Sequence, residues 1–295
     1  MTWTAYKWVW RLEAPLFLGM PPAGALNRCR LYVPARALWG AITAETSRLK
    51  NANDFPDYPK CGEYIASNLR FTYLFPAEKR GDLLYVWLPK YKTKKGLVWH
   101  CNESELPDRD FRRRLLDSRP GTAIAPESDS ASEGTLRETE CINPWWRDAN
   151  CQEESSAVLL LGYVFLRDDL PRNNDFWEQL NNIDTIFVGG DTRYGLGKIC
   201  RIDWRDISDD LSVFGKGVRL DGENPEIQSD IVWGHALETN LGHNQSSQGS
   251  KELFGGWNQD KLWEKQLAWV PGSTFKRQEK WWSIDKNGYW IWKQK

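Results

Sequence analysis

A glycine-rich segment between residues 187 and 198 is the part of the sequence best suited to binding an anion. Glycine tolerates positive φ and lets a ligand approach backbone N–H groups, and two basic side chains add positive charge. The residues that could contact such a ligand are Gly189, Gly190, Arg193, Tyr194, Gly195, Gly197 and Lys198. Phosphate is an anion that suits this arrangement, although glycines alone equally favour a tight turn between two strands.

The segment does not match either common nucleotide-binding motif. A P-loop would need glycine in place of Thr192 and Ser or Thr in place of Ile199. The dinucleotide fingerprint would need a third glycine at Cys200. We therefore consider the phosphate backbone of a nucleic acid as the ligand, and no cofactor is implied.

A second candidate contact for a phosphate is the start of a helix at Pro34. Residues 35–49 have apolar side chains at helical spacing, and proline is favoured at the beginning of a helix. The free N–H groups and positive dipole of the first turn suit a phosphate, with Arg36 as its charged partner. The alternative is ordinary helix initiation with a solvated Arg36, and Trp39 is expected to lie in the core.

Residues that typically catalyse reactions form no recognisable pattern in the sequence. None of the three histidines, His100, His235 and His243, lies in a known catalytic motif. The acidic pairs 168–169 and 209–210 join sequence neighbours, whose side chains usually point apart. No spacing typical of a metal site occurs, and no metal is expected. Six cysteines without a C-x-x-C pair, behind an N-terminus unlike a signal peptide, predict reduced thiols and a cytoplasmic location.

The elements that must position these segments are strands interspersed with a few helices. Alternating polar and apolar residues predict a first strand over 3–12. A short helix is predicted over 175–180, and the polar segment 126–134 is expected to form an exposed hairpin tip. Further strands are expected at 69–75, 83–88, 136–142, 158–166 and 185–188. This mixture favours an α+β fold.

Four segments occur in an order that is known from one protein superfamily. They are Pro15–Gly19, Tyr32–Ala41, Arg119–Arg137 and the glycine-rich segment. In this order they resemble the CRISPR-associated RAMP superfamily, whose domains are ferredoxin-like and similar to the RNA-recognition motif. The resemblance covers roughly the first two thirds of the chain, and its joint order is more specific than any single motif.

The resemblance implies a role in RNA binding for each segment. The helix that begins after Val33 would contact the backbone of the guide RNA (crRNA) through Arg36, and the glycine-rich segment would hold the same strand. The region from 119 to 140 resembles a protruding thumb hairpin that wedges between guide and target. Its candidate contacts are Arg119, Thr122, Ala123, Ile124 and Arg137. The implied partners are crRNA, complementary target RNA and the other subunits of a hetero-oligomeric effector.

The resemblance also bears on catalysis. Type III backbone subunits that cut target RNA carry an Asp in the loop that corresponds to residues 19–34. This loop contains no Asp or Glu, and a neutral side chain such as Asn27 cannot take the role of a carboxylate. We therefore expect a non-catalytic crRNA-binding subunit of a type III effector ribonucleoprotein. Two alternatives stay open: a RAMP endoribonuclease that processes crRNA or cleaves target RNA, and a Trp-rich interaction or glycan-binding module.

The last third of the chain differs in composition from the rest. The 295 residues carry a net charge of −1, which excludes a generally basic surface but leaves room for a local basic groove. Residues 201–260 contain 5 basic and 11 acidic residues, whereas 261–295 contain 8 basic and 3 acidic ones. We expect a RAMP-like core over 1–200, with a thumb region inserted at about 90–140, and an acidic then basic extension over 201–295. The tryptophans of its last part are expected mostly in a core or interface rather than under bases: Trp263, Trp269, Trp281, Trp282, Trp290 and Trp292.

Overall fold

The structure, a computed structural model, describes residues 2–50, 55–147, 157–169, 175–207, 210–237, 247–258, 261–276 and 281–292. Its helices are α1 (Ala35–Lys50), α2 (Tyr58–Asn68), α3 (Asp108–Leu115) and α4 (Asp175–Asn182). The strands up to residue 206 are β1 (Trp3–Leu12), β2 (Leu26–Asn27), β3 (Leu69–Phe71), β4 (Phe75–Arg80), β5 (Leu83–Val86), β6 (Leu88–Lys92), β7 (Gly96–Cys101), β8 (Ser104–Pro107), β9 (Leu116–Gly121), β10 (Ile124–Ala125), β11 (Ser130–Ala131), β12 (Arg137–Ile142), β13 (Leu159–Arg167), β14 (Thr185–Phe187) and β15 (Lys198–Asp206). The later strands are β16 (Ser212–Val213), β17 (Lys216–Arg219), β18 (Glu226–Gln228), β19 (Ala236–Leu237), β20 (Ser247–Gln248), β21 (Lys251–Asn258), β22 (Lys261–Trp269), β23 (Thr274–Phe275), β24 (Trp281–Ile284) and β25 (Trp290–Trp292). The fold is therefore α+β, as expected from the sequence.

A seven-stranded antiparallel sheet organises the first part of the chain. Its order is β14-β15-β1-β13-β4-β5, and β3 pairs with β13 beside β4. The two central strands, β1 and β13, are the most apolar, and Trp8 and Trp10 of β1 are fully buried. Trp8 and Trp10 share one face of the sheet, and Val9 between them is fully buried on the other, which explains why β1 occupies the middle of the sheet. Helix α1 follows β1 and contacts α4, which precedes β14, so both helices lie on the same side of the sheet.

Most of the predicted elements agree with this sheet. The strand over 3–12 and the helix over 35–49 are confirmed, because both depend on hydrophobic periodicity within one element. The strand predicted over 69–75 is interrupted between β3 and β4. At this point Leu74 and Val33 exchange two backbone hydrogen bonds of 2.9 and 3.0 Å, so a distant segment takes the pairing that a continuous strand would have used.

A hairpin that leaves the central sheet carries the predicted thumb residues. Strands β9 and β12 pair antiparallel from Leu116 to Ile142, and β2 joins β12 in parallel. The short pair β10 and β11 forms the end of this hairpin. The sequence segment 126–134 lies at that end and is almost entirely exposed, which confirms the predicted hairpin tip.

The C-terminal third forms a second sheet that packs against the first part. Its order is β16-β17-β18-β24-β25-β19-β22-β21. The backbone N–H of Trp3 donates to Leu220 (3.0 Å), and the indole of Trp233 donates to the carbonyl of Pro89 (3.3 Å). Phe214 packs edge-on against Phe75, with ring centroids 5.6 Å apart. Residues of both parts thus belong to one hydrophobic core.

Several of the C-terminal tryptophans lie within this packing. Trp282 and Trp290 are both buried, and Trp282 contacts Trp290 and Trp292 at centroid distances of 6.4 and 5.4 Å. Trp269 and Trp281 are half-buried, and Trp281 lies 3.7 Å under the guanidinium of Arg219. The side chain of Trp263 lies outside the described residues.

Two further observations concern membrane spans and cysteines among the described residues. Within the described ranges, no helix combines the length and apolarity that a membrane span requires. The five cysteines in these ranges are free thiols, and burial raises the pKa of Cys101 and Cys141 to about 11.

Candidate nucleic-acid interface

The glycine-rich segment is a compact loop held against residues 15–17, which follow β1. The N–H groups of Gly190 and Gly197 donate to the carbonyls of Phe17 and Pro15, at 2.9 and 2.8 Å. Gly189 and Gly197 have φ of +89° and +81°, and a Cβ on Gly189 would lie 2.3 Å from the Phe17 carbonyl oxygen. Close packing therefore requires glycine at these positions irrespective of any ligand. The interpretation of this loop as a tight turn is therefore compatible with its interpretation as a binding loop.

Three further predicted members of the loop, Arg193, Tyr194 and Gly195, are exposed. Residues Thr192–Tyr194 form one 3-10 turn between Asp191 and Gly195, which both adopt the left-handed conformation. Arg193 and Tyr194 are exposed, and a Cβ on Gly195 would meet nothing within 4 Å. The turn thus presents a cation and an aromatic ring to solvent at the point where the backbone is most open.

A groove of about 940 Å³ separates this loop from helix α1. The side of α1 that lines it has only small residues in its middle, namely Ala37, Gly40, Ala41 and Ala44. The loop contributes Gly189, Gly190 and Arg193, and β21 contributes Leu253, Phe254 and Gly255. The structure therefore brings together four of the predicted RNA contacts: Arg36, Gly189, Gly190 and Arg193.

The charged side chains of the groove are mostly basic. Its lining contains four arginines, Arg30, Arg36, Arg48 and Arg193, and one acidic residue, Glu45. Glu45 pairs with Arg48 at 3.1 Å. Arg193 has no acidic partner among the described residues. A surface of this sign attracts polyanions and concentrates them locally.

Arg36 lines the groove but is not a freely solvated side chain. Its guanidinium lies 4.0 Å from the centroid of the Trp39 ring and donates to Oδ1 of Asn287 at 3.2 Å. Burial lowers the pKa of Arg36, while the hydroxyl of Tyr289 and the carboxylate of Asp285 raise it. The side chain is thus held in place by the C-terminal region, which reduces the ordering cost of a contact with a phosphate.

The start of α1 is covered by the same C-terminal turn. A Cβ on Gly288 would lie 2.1 Å from the Cβ of Ala35, so the backbone of this turn packs directly on the first helical turn. Trp39 is half-buried, and its indole N–H donates to the carbonyl of Gly62 at 3.1 Å. It lies at the surface beneath Arg36 rather than deep in the core.

A second cavity, of about 330 Å³, lies between the glycine loop and the thumb hairpin. Its lining unites predicted thumb contacts with predicted loop contacts, and includes Arg119, Gly121, Thr122, Arg137, Asp191, Tyr194 and Leu196. The guanidinium of Arg137 lies 5.8 Å from the centroid of the Tyr194 ring. The glycine loop therefore separates two openings, one shared with α1 and one shared with the thumb.

The remaining predicted contacts lie at the margins of this surface. Ala123 and Ile124 are at the end of the thumb hairpin, and the side chain of Ile124 is exposed. Lys198 begins β15, where its carbonyl accepts hydrogen bonds from the N–H groups of Glu13 and Ala14. Its side chain is exposed but does not line either cavity.

One feature of the site was missed by sequence reasoning. The carboxylate of Glu252 on β21 accepts a hydrogen bond from Arg30 (2.6 Å) and contacts Nε2 of His235 (2.5 Å). The other ring nitrogen of His235 lies 2.6 Å from the hydroxyl of Tyr73. His235 thus lies in a buried hydrogen-bond network, although no catalytic motif surrounds it in the sequence. These residues are spread over more than 200 positions, so no local pattern reveals them.

The charges of this buried network are strongly coupled. Burial by itself would raise the pKa of Glu252, but hydrogen bonds from His235 and Arg30, together with their charges, lower it to about 2. Burial lowers the pKa of His235, while Glu252 raises it. His100 is half-buried on β7, where burial lowers its pKa, and His243 lies outside the described residues.

The loop over residues 19–34 is tied to the thumb hairpin. The side-chain amide of Asn27 donates to the hydroxyl of Thr139 at 3.3 Å, and β2 pairs with β12 beside it. The N–H of Met20 donates to the carbonyl of Arg28, so the loop closes on itself. Asn27 therefore acts here as a hydrogen-bonding link between the loop and the thumb strand.

The fold of this chain is similar to that of chains in solved structures. No protein-family profile matches the chain, and no curated protein is similar to it in sequence. A chain of the Type III-B Cmr-beta bound to cognate target RNA and AMPPnP matches 91% of this chain over 85% of its own length, with a TM-score of 0.54 and 11% identity. A chain of the Type III-B Cmr-beta bound to cognate target RNA matches 92% of this chain over 86% of its own length, with a TM-score of 0.52 and 12% identity. The protein therefore has the fold of a chain found in Type III-B Cmr-beta, which confirms at the level of fold the resemblance to a type III effector subunit.

Proposed function

We propose that the protein is a non-catalytic crRNA-binding subunit of a type III CRISPR effector ribonucleoprotein, and that it helps to recognise target RNA. The observation that carries the proposal is the groove between α1 and the glycine loop. It joins two segments, far apart in sequence, that were selected independently for phosphate binding, and it has four arginines against one glutamate. A single strand of RNA is the ligand whose charge and shape suit this groove.

The arrangement of the central sheet supports the ferredoxin-like part of this proposal. The order β15-β1-β13-β4, with α1 between β1 and β4 and α4 between β13 and β15, is that of a βαββαβ domain with both helices on one face. Such a domain leaves the region around α1 and the β14–β15 connection accessible beside the sheet. The groove lies in this region.

In the proposed mechanism, the chain holds the RNA backbone and leaves sequence recognition to base pairing. Arg193 and Arg36 contact phosphates of the guide RNA. The backbone of the glycine loop lies close enough to the RNA strand to exclude a wider ligand. The thumb hairpin projects beside the second cavity and displaces a nucleotide where guide and target pair. Arg119 and Arg137 at its base neutralise the phosphates that this displacement brings close.

The proposal assigns no cleavage step to this chain. Asn27 in the loop 19–34 is bonded to Thr139 and cannot accept a proton as a carboxylate does. His235 is fully buried, so its ring cannot reach an RNA in the groove. Incubation of the pure protein with repeat RNA and with guide-complementary RNA tests this part, because discrete products would refute it.

Charge reversal tests the binding role directly. Arg193→Glu is expected to weaken binding of guide RNA. Arg193→Ala is expected to lower the slope of log affinity against log salt concentration by about 1, because one phosphate contact is lost. The matched control is Arg109→Glu on α3, which reverses an exposed charge that does not line the groove. Equal affinities of the Arg193→Glu and Arg109→Glu proteins for guide RNA would refute the proposed groove.

A further inference from the structure

Two large apolar side chains are exposed inside the basic groove. Phe187, at the end of β14, is 49% exposed, and Leu253, on β21, is 66% exposed. Both line the same groove as Arg193. Exposed apolar side chains within a charged groove often mark a binding surface.

The side of the groove formed by α1 has only small side chains in its middle. The part of α1 that forms it has Ala37, Gly40, Ala41 and Ala44 where longer side chains would fill the space. A Cβ on Gly40 would meet nothing within 4 Å, so this space is open. A flat ligand can therefore lie over the helix without displacing any side chain.

The wall that carries Leu253 is fixed rather than loosely attached. Its neighbour Glu252 is held by Arg30 and His235, and the ring of Phe254 stacks on His235 at a centroid distance of 3.9 Å. Strand β21 thus enters the groove in a defined position. Preorganised contacts of this kind cost little conformational entropy when a ligand binds.

We infer that Phe187 and Leu253 form a contact for an unstacked nucleobase, so that the groove is specific for single-stranded RNA and β21 is one of its walls. The inference rests on the proposed RNA-binding function and adds a contact with a nucleobase to it. The occupant is expected to be anionic, because Arg36 and Arg193 line the groove and Arg193 has no acidic partner among the described residues, and it must also offer a flat apolar face. A single strand offers both, whereas a duplex keeps its bases stacked in its interior and presents phosphates.

Binding of RNAs with and without bases tests this inference. The probes are a labelled oligouridylate, the same ribose–phosphate chain with abasic units, and a duplex RNA of equal length. Phe187→Ala is expected to weaken binding of the oligouridylate by about tenfold, which is within the range for loss of one base–aromatic contact. The slope against salt should not change, because no phosphate contact is lost. Binding of the abasic chain should be the same for both proteins.

Four control variants separate the base contact from folding and from charge. Phe187→Trp keeps a flat ring and should retain oligouridylate affinity, whereas Phe187→Leu keeps apolar volume and should lose it. Leu83→Ala removes an exposed leucine on β5 outside the groove and should change nothing. Arg193→Ala should lower the salt slope while the preference for bases over abasic units remains.

The outcomes distinguish this inference from the proposed function. If the wild-type protein binds none of the three RNAs in a salt-dependent manner, the proposed function itself is wrong. If it binds RNA but Phe187→Ala and wild type have the same affinity for the oligouridylate, only the base contact is wrong. Equal affinity of the wild-type protein for duplex and single strand would also overturn the base contact.

Discussion

Replacement of Glu252 by glutamine removes the central charge of the buried network without changing its shape. In the native protein one oxygen of this carboxylate lies 2.6 Å from Nη1 of Arg30 and 2.5 Å from Nε2 of His235. The side chain of Arg30 is only 11% exposed, so water cannot replace the lost counter-charge. Glu252→Gln therefore leaves a buried guanidinium without compensation, which is the costly way to break such a pair.

The pKa of Glu252 gives the magnitude of the loss in folding stability. Burial would raise this pKa, but hydrogen bonds and charges from His235 and Arg30 lower it from 4.5 to about 2. A depression of about 2.5 pH units corresponds to about 3 kcal/mol of stability at neutral pH. Because the folded-state pKa is depressed, this contribution is fully present above about pH 4.5 and is lost as the pH falls through about 2. The side chain is 17% exposed, so solvent screening reduces the value little.

Urea unfolding of the full chain measures this effect. At pH 7, Glu252→Gln should lower the free energy of unfolding by about 3 kcal/mol, and the difference from wild type should shrink as the pH falls below about 4.5. The control is Glu45→Gln, because Glu45 pairs with an exposed Arg48 and should contribute less than about 1 kcal/mol. The reasoning is refuted if the two variants have the same free energy of unfolding at pH 7.

Three further predictions concern the loop, the C-terminal sheet and the thumb. Gly189→Ala should lower the thermal midpoint of unfolding more than Gly195→Ala. Both glycines have positive φ, but only a Cβ at position 189 meets a backbone oxygen, that of Phe17 at 2.3 Å. Equal midpoints would contradict the packing argument. Trp282→Ala should lower the free energy of unfolding by about 3–5 kcal/mol, because the indole is fully buried, as urea unfolding would measure. Arg137→Glu should weaken capture of target RNA by the guide-loaded protein while its affinity for guide RNA alone is retained. Filter binding with each RNA measures the two affinities, and an equal loss on both would contradict this role of Arg137.

Hydrophobic periodicity within single elements predicted the part of the fold that depends on local sequence. The strand at 3–12 and the helix at 35–49 have nearly the predicted bounds, because the apolar residues that each element buries recur with its own period. The helix predicted over 175–180 continues to Asn182. Boundaries fail where a distant segment decides the pairing, as at residues 72–74, where Val33 takes the hydrogen bonds of Leu74.

The arrangement of the C-terminal strands could not be predicted in the same way. Neighbours in this sheet, such as β18 with β24 and β19 with β25, are separated by some 50 residues of chain. Several of these strands have only two or three residues, too few for a periodic signal. The high tryptophan content does acquire a structural reason, because Trp8, Trp10, Trp282 and Trp290 are all buried in the joined core.

Composition also misrepresents the charge of the groove, because ion pairs join distant parts of the chain. Glu252 belongs to a segment with net charge −6. Its own charge neutralises Arg30, which lies 222 positions away in the sequence. Arg48 is likewise paired with Glu45, and Arg36 is held by Trp39 and Asn287. Of the four groove arginines, Arg193 is therefore the one whose charge no described acidic side chain offsets, and its substitution is the most direct test of RNA binding.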